Sequence, residues 1–150
     1  MTVSLKQVTR ETVRGVCKLD AGDGATQVAP TAVSMAEASF YDEAWFRAIY
    51  EDDTLVGFVM LYDPTLAAQP QEPEFFLWRL MMIDKTHQRK GIGHAAVQLL
   101  IKHVRTRPGA KKLMVSHARA AEALGRFYAS LGFSYTGAEE DGEKVMVLTL

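Results

Sequence analysis

Two glycines, two positions apart, stand directly behind a pair of cations where an amphipathic pattern begins. The stretch reads QRKGIGHAAVQLLIKHV, from Gln88 to Val104. Val97, Leu100, Ile101 and Val104 have the i, i+3, i+4, i+7 spacing of one buried helix face. A helix N-terminus has unpaired N–H groups and the positive end of the helix dipole, and glycine lets a ligand approach the backbone closely. The turn therefore predicts an anion site, best suited to a phosphate or pyrophosphate.

Two familiar phosphate-binding motifs do not fit this turn. A P-loop needs Lys and Ser or Thr after its second glycine, where this chain has His94 and Ala95. The dinucleotide-binding fingerprint needs a third glycine where Ala96 stands, and an acidic residue about 20 positions further on. On its own, the Gly-Ile-Gly sequence is equally compatible with an ordinary strand-to-helix turn whose cations are solvated.

The elements that must position the turn follow from hydrophobic periodicity and turn residues. Strands are predicted near Val3 to Val8 and in AWFRAIY, TLVGFVMLY, FFLWRLMMI, LMVS, FSYTGAE and KVMVLTL, the last two joined at Asp141-Gly142. Helices are predicted over Val13 to Leu19, from Thr31, after Gly93, and in AAEALGRFYASLG. The order predicts an α/β fold of three layers, a mixed central β-sheet of about seven strands flanked by about four helices.

Composition limits the class of protein. The chain has 150 residues, 48% of them apolar and 23% charged, with a formal net charge of −1, which predicts one globular domain over residues 1–150. This balance gives no reason to expect a nucleic-acid or membrane partner. One cysteine, Cys17, fits a reducing compartment and the cytoplasm, and we expect it to be a small buried residue. The spacing of the four histidines predicts no metal site.

The context of the turn resembles the GNAT superfamily of N-acetyltransferases. The superfamily signature Gln/Arg-x-x-Gly-x-Gly/Ala after the fourth strand is matched by Gln88, Gly91 and Gly93. A later signature, a helix ending in aromatic-Tyr before x-x-Gly-Phe, is matched by Phe127-Tyr128 and Gly132-Phe133. The resemblance covers the whole chain and implies a GNAT-like fold, a single N-acetyltransferase domain, and acetyl-CoA as cosubstrate without a metal.

A narrower resemblance is to the bacterial spermine/spermidine (diamine) N-acetyltransferase branch. The segments concerned are FRAIYEDDTLVGFVMLYD, FLWRLMMIDKTHQRKGIG and GEKVMVLTL. The resemblance implies direct acetyl transfer, in a ternary complex, to a small primary amine such as spermidine or spermine. Two alternatives stay open: another amine acceptor (an amino acid, an aminoglycoside or a protein N-terminus), and a non-catalytic acyl-CoA-binding sensor.

The superfamily resemblance also implies where acetyl-CoA binds. Its pyrophosphate would lie on the backbone of the turn, and its pantetheine arm would pair with the fourth strand. The expected cofactor-binding residues are Met81, Ile83, Gln88, Arg89, Lys90, Gly91, Ile92, Gly93 and His94. One position departs from the family pattern: Ala121 stands where an asparagine often binds the pantetheine arm.

Acetyl transfer to an amine needs a proton removed and a proton supplied. An alkylammonium has a pKa of ~10.4, so reaching the nucleophilic amine at neutral pH costs roughly 4–5 kcal/mol. Glu74 and His117 are the candidate general bases, although each also suits a solvated loop position. Tyr128 matches the general acid of the family, which would protonate the leaving thiolate.

A polyamine acceptor predicts a site with carboxylates and aromatic walls. The second predicted helix and the residues just after it supply both, and we expect Glu37, Tyr41 and Glu43 to bind the substrate, with Asp42 and Trp45 beside them. The expected partner is a small-molecule amine, with no nucleic acid and no membrane. The oligomeric state is left open, with a homodimer as one option.

Overall fold

The protein is described by a computed structural model covering residues 2–22, 30–68 and 74–150, with only the backbone at positions 79–82. The segments between the first two predicted helices and between the third and fourth predicted strands lie partly outside these ranges, as does the side chain of Met81. Among the described residues, no helix combines the length and the apolar character needed to cross a membrane.

The described residues form seven strands and four α-helices, which follow one another in the predicted order. The first half contains β1 (Val3–Lys6), α1 (Val13–Cys17), α2 (Thr31–Ala38), β2 (Ala44–Glu51) and β3 (Thr54–Tyr62). The second half contains β4 (Phe75–Ile83), α3 (Ile92–Arg105), β5 (Lys112–Ala118), α4 (Glu122–Ser130), β6 (Ser134–Glu140) and β7 (Glu143–Thr149). Short 3₁₀ turns occupy Pro64–Leu66 and Lys85–His87. The predicted α/β fold, with a mixed seven-stranded sheet and four helices, is confirmed.

The strands form one sheet in the order β1-β2-β3-β4-β5-β7-β6. Neighbouring strands run antiparallel except β4 and β5, which are parallel and connected through α3. The β6–β7 hairpin turns at Asp141 and Gly142, whose φ angles of 51° and 78° are those of the left-handed region that such hairpin turns require.

The two faces of the sheet are covered by different helices. The α3/α4 face carries the larger core, where Val97 and Leu100 of α3 and Tyr128 of α4 pack on strand residues such as Phe75. The α1/α2 face carries a smaller cluster in which Val16 of α1 packs with strand residues. Cys17 is exposed, contrary to our expectation, because α1 turns its neighbour Val16 toward the sheet.

β4 and β5 separate soon after they begin. They pair only at Phe75–Leu113 and Phe76–Met114, although both strands continue for several residues beyond. We call the gap beyond these pairs the opening. It leaves one backbone edge of β4 without a neighbouring strand inside the sheet.

β4 also contains two extra residues relative to β3. Between the pairs Phe58–Met82 and Met60–Arg79, two steps along β3 correspond to three along β4. Between Met60–Arg79 and Leu61–Leu77, one step along β3 corresponds to two along β4. Bulges of this kind bend and twist a strand and redirect its side chains. They occur in the part of β4 that borders the opening.

Candidate active site

The glycine turn leads directly into α3. Gly91 is the N-cap residue of α3 and has a φ of 81°, and Arg89 has a φ of 64°, so two of three consecutive residues are left-handed. A Cβ added to Gly91 would meet no other atom within 4 Å. Glycine is therefore favoured here by backbone conformation, and the space above the turn is open. Arg89 and Lys90 are exposed beside it, so the turn has the form of the predicted anion site.

Gln88 holds the turn in place with its side chain. The amide nitrogen donates to the carbonyl oxygens of Ala21, at 2.8 Å, and of Ile83, at 2.9 Å. The preceding 3₁₀ turn is fixed by the Asp84 carboxylate, which accepts the Thr86 hydroxyl at 2.7 Å and the Asp20 N–H at 3.0 Å. A ligand on the turn would therefore meet Gln88 through its backbone.

The C-terminal end of β4 directs backbone groups toward the opening. The Asp84 N–H donates to the Val56 carbonyl of β3 at 2.7 Å. Successive residues of a strand direct their backbone groups to opposite edges, so Ile83 faces the side that β5 has left. The Ile83 carbonyl accepts a hydrogen bond from the Gln88 side chain, and the Ile83 N–H is directed to the opening.

Tyr128 lies on the α3/α4 face and is 1% exposed. Its ring packs edge-on against Phe127 and Phe133, with centroid distances of 5.3 Å and 5.5 Å. Burial raises the pKa of the Tyr128 hydroxyl well above its ordinary value, which keeps it protonated through the neutral range. The hydroxyl forms no hydrogen bond with any described residue, so its proton is not committed within that part of the protein.

His117, at the end of β5, is 1% exposed and uses both ring nitrogens. Nδ1 lies 2.7 Å from the Ala118 carbonyl oxygen, which only accepts, so Nδ1 carries a proton. In the neutral imidazole, Nε2 then accepts the Tyr135 hydroxyl at 2.9 Å. Gly125 of α4 makes room for this pair, since a Cβ there would collide with the Tyr135 hydroxyl and lie 3.0 Å from Nε2.

Glu74 is placed differently from His117. It is exposed and directly precedes Phe75, the first residue of β4 that pairs with β5. This is the closed end of the two strands, on the far side of the pairing from the opening. The two candidate bases are therefore not brought together.

A cavity of about 390 Å³ lies beside the opening. Its lining side chains are Tyr62, Phe76, Leu77, Trp78, Ser116 and Glu140. Trp78 and Ser116 each lie two residues beyond the last β4–β5 pair, so they flank the start of the opening. The Ser116 hydroxyl donates to the Glu143 carboxylate at 2.8 Å. The cavity therefore combines aromatic walls with carboxylates where the strands diverge.

Two of the predicted acceptor residues, Tyr41 and Glu43, lie beside side chains that line this cavity. The Tyr41 ring contacts that of Trp78, with centroids 4.9 Å apart. Glu43 is near Tyr62, whose pKa is raised by burial and by this carboxylate. Glu37 is half-buried on α2. Trp45 was wrongly placed with them: it is stacked on His103 of α3, with centroids 4.3 Å apart, on the other face of the sheet.

Sequence reasoning missed all six lining residues of the cavity: Tyr62, Phe76, Leu77, Trp78, Ser116 and Glu140. The period-two alternation of Phe76 and Trp78 in FFLWRLMMI could have placed those two on one face. Nothing local in the sequence indicates that the end of β6 brings Glu140 to the same place, because β6 follows β7 in the sheet order. Among the described residues, no group of three or more His, Cys, Asp or Glu side chains is arranged to hold a metal ion.

A second cavity, of about 370 Å³, runs along α3 from the glycine turn. It lies between α3 and the end of α4, and its lining includes His94, Gln98 and Arg105 from one helix and Ser130 and Leu131 from the other. His94 therefore belongs both to the turn and to a polar groove that continues from it.

Comparison with known proteins agrees with this geometry. The model of one family, described as Acetyltransferase (GNAT) family, matches residues 23–133. No curated protein sequence matches the chain.

Several solved structures share the fold at low sequence identity. The ribosomal-protein-S18-alanine N-acetyltransferase from Escherichia coli has a TM-score of 0.72 and 17% identity, over 99% of this chain and 94% of that one. An aminoglycoside acetyltransferase in complex with coenzyme A has a TM-score of 0.77 and 15% identity, over 99% and 95%. The PaiA N-acetyltransferase from Thermoplasma acidophilum, also with coenzyme A, has a TM-score of 0.67 and 14% identity, over 100% of both chains.

Proposed function

This chain belongs to the GNAT family and is an acetyl-CoA-dependent N-acetyltransferase, and we propose that its acceptor is a small polyamine or diamine such as spermidine or spermine. We further propose that residues 1–150 act as one catalytic domain, in the cytoplasm, and transfer the acetyl group directly within a ternary complex. The observation that carries the acceptor proposal is the aromatic and acidic cavity where β4 and β5 diverge.

The residues of the turn fit the cosubstrate. Exposed Arg89 and Lys90, two left-handed residues and the start of α3 provide cations, N–H groups and a helix dipole for a pyrophosphate. Gly93 and His94 continue the same backbone. In this proposal Met81 and Ile83 contribute backbone groups from β4. Acetyl-CoA, when bound, supplies the activated acetyl group as a thioester.

Position 121, where alanine replaces the asparagine of the family pattern, lies at the N-terminus of α4. Ala121 is the N-cap residue of α4, and no side chain caps this helix end. An asparagine there would offer an amide for hydrogen bonding, whereas alanine offers none. In this proposal the turn and the β4 edge therefore carry a larger share of cosubstrate binding.

The chain must also lower the cost of presenting a neutral amine. His117 is the proposed base that lies beyond the β4–β5 pairing, and as a neutral ring its Nε2 lone pair is already shared with the Tyr135 hydroxyl. A proton from the amine would reach it by way of that half-exposed hydroxyl, which then passes its own proton to Nε2. Glu74 is the other proposed base, reachable from solvent. Replacing each in turn by glutamine, in Glu74→Gln and His117→Gln, separates the two, because the variant that lacks the true base should lose most activity at lower pH.

The leaving group needs a proton, and Tyr128 is the proposed donor. Its buried hydroxyl is protonated and has no hydrogen-bond partner within the described residues. Such a hydroxyl is free to donate to a group that enters the opening. Glu37, Tyr41 and Glu43 are the proposed acceptor-binding residues. Tyr41 contacts Trp78 and Glu43 lies near Tyr62, both of which line the cavity, and Glu37 lies on α2.

An acetyl-CoA consumption screen across amines tests the proposal. Spermidine, spermine and putrescine form the first set, with amino acids, aminoglycosides and an N-terminal peptide as the second. We expect turnover with the first set and a rate that rises with pH through the neutral range, because the amine must lose a proton. Turnover confined to the second set would contradict the acceptor. Cosubstrate binding without turnover on any amine would instead indicate an acyl-CoA sensor.

A further inference from the structure

Two tyrosine rings contact Trp78 at the start of the opening. The Tyr41 and Tyr62 centroids lie 4.9 Å and 5.7 Å from that of Trp78, at interplanar angles of 85° and 75°. Rings set this steeply do not stack on one another, so they form adjoining walls. We call Tyr41, Tyr62 and Trp78 the aromatic box. Tyr41 is 50% exposed, which leaves the box accessible from solvent.

Carboxylates lie around the aromatic box. Glu140 lines the same cavity as Tyr62 and Trp78, and no cation is among the lining side chains that the structure describes. Glu143 accepts the Ser116 hydroxyl on the opposite wall. Glu43 is close enough to Tyr62 to contribute to raising its pKa. Aromatic faces bordered by carboxylates favour an organic cation over a neutral or anionic group.

A site that stabilises a positive charge opposes the deprotonation that the reacting amine must undergo. Stabilising an ammonium raises its pKa, and the nucleophile must be the neutral amine. The reacting nitrogen must therefore lie away from the box, toward the opening that Trp78 and Ser116 flank. The charge held on the aromatic box must belong to another part of the same acceptor.

We propose that the aromatic box binds the distal, non-reacting ammonium of the acceptor and that Trp78 is the residue that selects diamines over monoamines. This inference rests on the proposed function, since it specifies how that function distinguishes its substrates. Glu140 supplies the neighbouring carboxylate. A monoamine of equal length has no charge to place there and gains nothing from these side chains.

The test compares 1,4-diaminobutane with 1-aminobutane as acceptors for variants at Trp78. Trp78→Leu should lower kcat/KM for the diamine about 2- to 30-fold, the range of one cation–π contact, and change the monoamine less than about 2-fold. Trp78→Phe keeps an aromatic face and should retain most of the diamine preference. Because Trp78 also packs on the α1/α2 face, Glu140→Gln, which changes a different wall of the cavity, keeps the proposal testable if Trp78→Leu does not fold.

Two adjacent glutamates provide a matched pair of variants. Glu140→Gln should reduce diamine selectivity, since Glu140 lines the cavity. Glu139→Gln should leave it unchanged, because Glu139 pairs with Arg119 and borders a different pocket. Equal losses for diamine and monoamine in Trp78→Leu and Glu140→Gln would overturn the box and leave acetyltransferase activity on polyamines intact.

A binding measurement separates this inference from the proposed function. Trp45→Phe leaves Trp78 as the only tryptophan of the chain, so quenching of tryptophan fluorescence reports on the box without turnover. Saturable quenching by 1,4-diaminobutane, absent with 1-aminobutane at equal concentration, supports the box even if the screen finds a different acceptor. Absence of saturable quenching would overturn it whatever the screen finds.

Discussion

At the residue scale, two tyrosines near α4 have opposite surroundings. The Tyr128 hydroxyl is buried without a partner among the described residues, while Tyr135 is 51% exposed and donates to a buried histidine. The first hydroxyl is available to a ligand, and the second is bonded to Nε2 of His117, whose tautomer the Ala118 carbonyl sets. Residue type alone would not have separated these two roles.

Tyr128→Phe removes the proposed proton donor with little change in shape. We expect turnover to fall about 10- to 10,000-fold, the span of one acid–base group, with the affinity for acetyl-CoA almost unchanged. Steady-state kinetics and calorimetry measure the two quantities. Tyr50→Phe, on β2 with Lys6 over its ring, is the control and should behave as wild type. Wild-type turnover in Tyr128→Phe would remove the assignment if chemistry limits the rate.

Gly125→Ala should destabilise the protein although alanine is the better helix former. The new methyl group would displace the Tyr135 hydroxyl and leave Nε2 of buried His117 unpaired, which costs about 1–3 kcal/mol, against about 1 kcal/mol gained in helix propensity. Urea denaturation measures the net loss.

The control for Gly125→Ala is Gly15→Ala in α1. A Cβ at Gly15 would meet only the end of the Leu55 side chain, at 3.3 Å, so we expect no loss. In a Tyr135→Phe background, which lacks the obstructing hydroxyl, the cost of Gly125→Ala should shrink. A Gly125→Ala variant as stable as wild type would contradict this account of the helix glycine.

At the element scale, the junction of β4 and α3 determines what the site can bind. The divergence of β4 from β5, its two bulges and the left-handed turn all occur within one continuous stretch of chain. Gln88 ties the end of β4 to the turn and to the loop at Ala21. The backbone edge of β4 and the N-terminus of α3 are therefore held in a fixed relation.

Gly91→Val should abolish binding of coenzyme A while the domain stays folded. Valine at a φ of 81° costs about 1–2 kcal/mol, and its side chain would occupy the space above the turn. Calorimetry with coenzyme A and a thermal melt measure the two effects. Gly137→Val is a matched control, because Gly137 has a φ of 87° and equally open surroundings, but lies on β6. Unchanged affinity in Gly91→Val would contradict the turn as the pyrophosphate site.

At the scale of the whole molecule, charged and titratable side chains cluster on the α3/α4 face of the sheet. On the α3/α4 side, His103 is stacked on Trp45, and Arg47 lies over the same indole at 4.3 Å. Nearby, fully buried Asp63 pairs with Arg107 at 2.8 Å. Burial lowers the pKa of His103, and Arg107 and Arg47 lower it further, while Asp63 opposes them. His103 is therefore held neutral in the folded protein.

This arrangement predicts a loss of stability in mild acid. The pKa of His103 is below its unfolded value of ~6.5, so the unfolded chain binds a proton first, and the free energy of unfolding decreases as pH falls through that value. His103→Phe keeps the ring stack without a titrating group. Urea midpoints at pH 7.5 and 5.5 should differ less in His103→Phe than in wild type. The same difference in both proteins would contradict a buried neutral His103.

The features that depend on neighbouring residues could be predicted from the sequence. The left-handed turn at Gly91, the buried stripe of α3 and the Asp141-Gly142 hairpin each follow from spacing and allowed backbone angles within a few positions. The sequence also places Tyr128 and the turn in one family pattern. These local signals, taken together, were enough for the α/β fold and for the cosubstrate.

Only the tertiary structure decided which residues meet at the opening. Alternation along a strand shows which side chains share a face, but not which helix covers that face, so Trp45 was assigned to the wrong side. The bulges of β4 have no glycine or proline to mark them. Trp78, Ser116 and Glu140 come together because β5, β7 and β6 are ordered by long-range pairing, and that pairing is set by packing across the whole sheet rather than by any local pattern.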